Sequence, residues 1–123
     1  MIDIEALKAI LIENQKAILV LSIFILLDII TGVLKAANNK ELVSSKFRTG
    51  IIKKFFEVIL ILVGFCLDYL TEMLYIGNSV TVFFVAMEGY SILENTSEFV
   101  ELPKLLKDIL EGLQGDKKKD DLQ

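Results

Sequence analysis

Three apolar blocks run through the chain, and polar side chains interrupt each of them at helical spacing. The middle block, Phe55 to Tyr75 (FFEVILILVGFCLDYLTEMLY), is long enough to cross a bilayer yet holds Glu57, Asp68 and Glu72. Steps of four and seven residues place Lys53, Glu57, Gly64, Asp68 and Glu72 on one helical face. Val58, Ile59, Leu62, Phe65 and Leu67 are left for the face that lipid accepts. A carboxylate at mid-membrane costs about 2.5–3.5 kcal/mol, whereas each Leu, Ile, Phe or Val returns only about 0.3–0.6. Alone, this helix is marginal in lipid. It needs other helices, or water, against its polar stripe, and the predicted span covers residues 51–76.

The block before it, residues 17–36 (AILVLSIFILLDIITGVLKA), reads as the first span, since at about 1.5 Å per residue it covers a hydrocarbon core of about 30 Å. Asp28 falls near its middle, and Gly32 follows one turn later on the same face, a small residue beside a polar one that lets two helix backbones approach. After the middle block, Ile76-Gly77-Asn78-Ser79 reads as a tight uncharged turn. Residues 79–95 then return as a third span, with Glu88 at its centre and Thr81, Ser91 and Asn95 along the same stripe. Each span therefore holds one carboxylate near mid-depth, Asp28, Asp68 and Glu88, and no Arg, Lys or His is predicted at that depth to pair with them. An acid left unpaired there either sheds its charge or faces water. The stripes are accordingly predicted to form an interior, or an interface between copies, that can become wet.

The flanking segments set the orientation. Residues 1–16 place Ile4, Leu7 and Leu11 on one face, as in an amphipathic helix on the membrane surface or a helical extension of the first span. Acidic residues stand where a secretory signal would be basic. Residues 37–50 form a polar loop that with its flanks holds Lys35, Lys40, Lys46, Arg48, Lys53 and Lys54 against the single acid Glu41. The positive-inside rule makes that loop cytoplasmic, with the N-terminus out and the C-terminus in. Glu94, Glu98 and Glu101 share a face as the chain leaves the membrane, a solvated acidic edge in preference to a divalent-ion site. Pro103 opens an amphipathic helix over residues 103–113, striped by Leu106, Ile109, Leu110 and Leu113; Gly112 and Gly115 are predicted to end it, leaving residues 114–123 as a disordered charged tail.

Composition narrows the function classes. A hydrophobic fraction of 54% in 123 residues is more than so short a soluble domain can easily enclose. The net charge of −4 says little about partners, because the charges cluster at the chain ends and in one loop. No basic face interleaves with aromatics, so nucleic acid is not a predicted partner. Histidine is absent, the single Cys66 lies inside an apolar block, and neither a Gly-rich phosphate loop nor a nucleophile elbow occurs. The expectation is a non-enzyme without cofactor or metal.

Asp28-Ile29-Ile30-Thr31-Gly32-Val33-Leu34, then Ser44-Ser45, then Gly50-Ile51-Ile52-Lys53-Lys54, resembles the first half of the toxin-secretion/phage-lysis holins of Gram-positive bacteria and their phages. Leu67-Asp68, then Glu88-Gly89-Tyr90-Ser91-Ile92-Leu93-Glu94-Asn95, then Leu102-Pro103-Lys104-Leu105-Leu106, is similar to the most recognisable signature of that family. The similarity runs from Leu27 to Leu113 in order and spacing; it departs at Phe99-Val100-Glu101-Leu102, where the family often has a Gly and a second Pro. The resemblance implies an all-α, oligomeric protein of the bacterial cytoplasmic membrane, with three transmembrane helices between amphipathic terminal helices. It also implies lesions that release an endolysin or export a large toxin, neither of them held in a stable complex. Asp28, Gly32, Glu57, Gly64, Asp68, Glu88, Ser91, Glu94 and Asn95 are the candidate pore or oligomer-interface residues. In this scheme the stripes pack with neutral acids and later turn toward a water-filled lumen. Two other classes stay open on the residues alone. One is a narrow proton or cation channel or carrier using the same acids as a relay, and the other is a non-conducting membrane scaffold.

Overall fold

The computed structural model describes residues 3–41 and 44–121; the ends of the predicted amphipathic segment and tail, and Leu42 and Val43 of the loop, lie outside the described residues. Five helices follow in order: α1 (Ile4–Glu13), α2 (Gln15–Asn38), α3 (Ser44–Thr71), α4 (Ile76–Thr96) and α5 (Lys104–Asp121). Among the described residues there is no strand. Two helices, α2 and α4, are long and apolar enough to cross a membrane. The longest, α3, is interrupted by Lys54, Glu57 and Asp68.

The three long helices bury very little. Ile10, Leu21, Ile61 and Phe65 form the only buried apolar cluster among the described residues, with Tyr69, Val80 and Phe84 against it. Leu26 and Phe83 are each 58% exposed, and Phe55 66%. Side chains of this kind, covering the outward faces of helices that already form a bundle, fit a surrounding apolar solvent and would be a liability in water. α4 is the centre of the arrangement: it packs on both α2 and α3, which barely touch each other.

Close approach of α3 and α4 depends on two glycines. A Cβ on Gly64 would stand 3.0 Å from the Gly77 Cα, and one on Gly77 would land inside the Phe65 ring. Phe65, expected on the lipid face, is thereby turned inward and is 6% exposed. The turn between the two helices lies earlier than the sequence suggests. Glu72 adopts a left-handed φ of 58° just past the end of α3, and the predicted turn residues Ile76 to Ser79 are instead the first turn of α4. The reason is Asp68, whose Oδ1 and Oδ2 accept the Ile76 and Gly77 N–H groups at 2.9 and 2.8 Å. A carboxylate satisfying the orphan donors at a helix start fixes where that helix begins. Because the cap comes from the preceding helix, no local capping signature marks it.

Other boundaries differ as well. α1 is a separate helix: at Asn14 the side-chain amide donates to the Ile10 carbonyl at 2.7 Å, closing the turn. Its inward residue is Ile10, while Ile4 and Leu11 are exposed. The Asp3 N–H donates to the Tyr69 hydroxyl at 3.0 Å, so α1 leans on the far end of α3. At the opposite end, Glu98 holds the end of α2 through Lys35 (3.5 Å) and Asn39 (3.2 Å). After Thr96 the chain leaves helix until Lys104, across the segment where the family pattern is broken. The tail predicted as disordered from residue 114 is helical as far as Asp121. Gly112 and Gly115 keep negative φ and stay inside α5, since a glycine weakens a helix by about 1 kcal/mol without ending it.

Asp68→Ala should lower stability by about 2 kcal/mol, the upper end for a lost helix cap, and Gly77→Ala by about 1–3 kcal/mol through overpacking. Gly112→Ala, where a Cβ meets nothing within 4 Å, should gain up to about 1 kcal/mol. Helical circular dichroism during denaturation in mixed micelles measures all three.

Candidate functional site

Depth along the helices brings three charged residues to one level. Asp28 stands ten residues before the end of α2, Lys54 ten residues after the start of α3, and Glu88 eight residues before the end of α4. At about 1.5 Å per residue, each lies about 12–15 Å in from the same end of the bundle, half the thickness of a hydrocarbon core. The inward faces then converge. Lys54 Nζ donates to Asp28 Oδ2 at 2.7 Å and to Glu88 Oε2 at 2.8 Å. The side chains of Lys54, Asp28 and Glu88 are 15%, 14% and 4% exposed.

This overturns the expectation that no cation reaches the mid-depth acids. Asp28 and Glu88 are ion-paired, so the seam needs no neutral acids in order to pack. The signal was present in the sequence: Lys54 precedes Glu57 by three residues, Ile61 by seven and Asp68 by fourteen, which is one helical face. Beginning the span at residue 51 hid it, because that start leaves Lys54 at the headgroups. With α3 beginning at Ser44, Lys54 is deep, while its neighbour Lys53 is exposed.

Neighbouring polar groups complete the cluster. Asn95 Nδ2 donates to Asp28 Oδ1 and to Thr31 Oγ1, both at 3.1 Å. Thr31 in turn donates to the Leu27 carbonyl at 2.8 Å. Gly32 borders the Asn95 side chain, and a Cβ there would make an ordinary 3.6 Å contact with Nδ2. Ser91 borders a cavity of about 300 Å³ beside Asp28 and Asn95. Glu57 Oε2 is enclosed with no hydrogen-bond partner.

The structure therefore gathers Asp28, Gly32, Glu88, Ser91 and Asn95, and adds Lys54 and Thr31. It does not bring Asp68 and Gly64 to the cluster; they sit toward the other end of α3, where they position α4. Glu94 makes none of these bonds. Of the remaining basic residues, Lys35 pairs with Glu98, and Lys40, Lys46 and Arg48 are exposed near the α2–α3 connection. No grouping of three or more acidic or cysteine side chains suited to a metal ion occurs among the described residues.

A bundle with apolar outer faces and a charged seam inside defines a small helical membrane protein. The match of residues 5–115 to the bacteriophage holin family places the chain in that family. It is 30% identical over 116 residues to the probable holin of Bacillus phage phi105, covering 93% of this chain and 86% of that one. It is also 36% identical over 103 residues to an uncharacterized 14.9 kDa protein of Clostridium perfringens, covering 81% and 78%. The uncharacterized protein YqxH of Bacillus subtilis is 36% identical over 104 residues, covering 81% and 71%. No solved structure matches the chain.

Lys54→Met leaves two facing carboxylates without their cation and should cost about 3–5 kcal/mol. Adding Asp28→Asn and Glu88→Gln should recover much of that loss, because replacing a whole buried ion cluster is far less damaging than breaking it. Denaturation of the single and triple variants in the same micelles decides the point.

Proposed function

We propose that this chain is a holin that crosses the bacterial cytoplasmic membrane three times, through α2, α3 and α4, and assembles with its own copies into lesions. The observation that carries the reading is the Lys54 bridge, which joins all three long helices at mid-depth. In the closed protomer, the cation on α3 keeps the acids of α2 and α4 out of lipid and out of water. In the open assembly, copies exchange helix contacts and the seam of Asp28, Lys54, Glu57, Glu88, Ser91 and Asn95 lines a wet lumen. Water then replaces the bridge, and hydrated charges resist return to hydrocarbon. That asymmetry supports abrupt opening. Gly64 and Asp68 contribute by holding the α3–α4 hairpin together while α2 moves.

The basic α2–α3 connection supports a cytoplasmic loop, an outer N-terminus and an inner C-terminus. The cargo in this reading is an endolysin that reaches the cell wall, or a large secreted toxin. A channel for protons or cations alone is favoured by one specific observation, the unpartnered Glu57 oxygen beside a charged cluster.

At equal membrane levels, Lys54→Met should bring loss of membrane integrity forward, and Asp28→Asn and Glu88→Gln should each shift its onset. Unchanged timing in all three removes the seam from the mechanism. Co-expression with an endolysin separates the readings: rapid clearing of the culture supports lesions, depolarisation without clearing supports a channel, and unaltered dye permeability supports a scaffold. A cysteine in place of Lys40, in a Cys66→Ala background, should react with an impermeant maleimide only after the inner face is opened.

A further inference from the structure

α2 and α3 scarcely touch each other, yet α1 packs on both. Ile10 is the residue that joins them. It is buried in one apolar cluster with Leu21 of α2 and with Ile61 and Phe65 of α3. Tyr69 packs against the same cluster, and its hydroxyl accepts the Asp3 N–H at 3.0 Å. Ile61, Phe65 and Tyr69 follow Lys54 by seven, eleven and fifteen residues, so α1 grips α3 about 10–22 Å beyond the Lys54 bridge. α2 is thus tied to α3 at two depths, once through ions and once through α1.

The joint between α1 and α2 makes the two move together. One residue, Asn14, separates them, and it is 5% exposed. Its N–H and its side-chain amide both donate to the Ile10 carbonyl, and its own carbonyl accepts the Ile18 N–H. Bending α1 away from α2 breaks these buried bonds, and a buried polar group stripped of its partner is costly. The contacts of α1 with α3 are simpler, one apolar side chain and one exposed hydrogen bond. Swinging α2 away from α3 therefore draws Ile10 out from between Ile61 and Phe65 and parts Asp3 from Tyr69. We infer that α1 is a hook: it holds α2 to α3 in the closed protomer, and it must leave α3 before the Lys54 seam can open. Either fastening alone lets α2 pivot about it, whereas two at different depths fix its tilt. The inference rests on the lesion reading above.

Spin labels and a covalent tether test the hook on the full chain, using Ile4→Cys and Leu70→Cys, both at exposed positions, in a Cys66→Ala background. In the reconstituted protein, labels on this pair should report one short distance. Tyr69→Phe should raise the long-distance fraction about two- to fivefold, the loss of one hydrogen bond. Ile10→Ala should raise it more than about tenfold, and Ile12→Ala, at an exposed position, should leave it unchanged. In expressing cells, Tyr69→Phe and Ile10→Ala should bring loss of membrane integrity forward, in that order of strength. A flexible bis-maleimide joining the cysteine pair should prevent the loss that the same variant shows with N-ethylmaleimide. Equal onset with the two reagents overturns the hook. So do unchanged label distances in both variants, and so does a variant whose α1 is released but whose onset matches wild type. Should Ile10→Ala fail to fold, Tyr69→Phe and the tether still decide. A wild type that leaves the membrane intact at every expression level overturns the lesion reading and the hook with it. Permeabilisation by wild type and by tethered protein alike counts against this inference alone.

Discussion

A primary ammonium enclosed between two carboxylates inside an apolar-faced bundle is the constraint from which the rest of this structure follows. Each charge alone carries a desolvation penalty of several kcal/mol, and together they offset it only while geometry is tight. Lys54 meets Asp28 and Glu88 at 2.7 and 2.8 Å. Holding those distances fixes the rotation of three helices about their axes and their register along the bundle. Apolar packing alone could not do so, because lipid tails compete with Leu and Ile on equal terms. With so few buried apolar side chains in the bundle, polar bonds and close glycine contacts carry the specificity.

Much of this arrangement was legible in the sequence, and what was missed has identifiable causes. The apolar blocks located α2 and α4, and the spacing of Asp28, Gly32, Glu88, Ser91 and Asn95 placed them on inward faces. The cation was hidden because α3 starts at Ser44, well before its apolar block, and a lysine near a basic loop looks like a topology signal. Asp68 looked like its counterparts in the other spans. Its oxygens instead meet the N–H groups of the next helix, a contact between helices that periodicity does not encode. The turn was displaced for the same reason, since glycine and asparagine at positions 77 and 78 suggest a loop wherever no remote cap is foreseen.

The hairpin of α3 and α4 is built differently from the pairing of α4 with α2. Gly64, Gly77 and Asp68 create a short-range joint with no spare volume, in which the Phe65 ring occupies the room a side chain on Gly77 would need. The α2–α4 contact is longer, and toward the end that adjoins the α2–α3 connection it is polar, through Asn95, Asp28 and Thr31. The hairpin joint is fixed by backbone proximity and a carboxylate cap, whereas part of the α2–α4 contact is made of bonds that water can replace.

The central position of α4 has a geometric consequence. Since α2 and α3 are each fastened to it and scarcely to one another, the protomer resembles an open book with α4 as the spine. Swinging one cover outward on that spine would uncover the charged margin without a page being torn out of the fold.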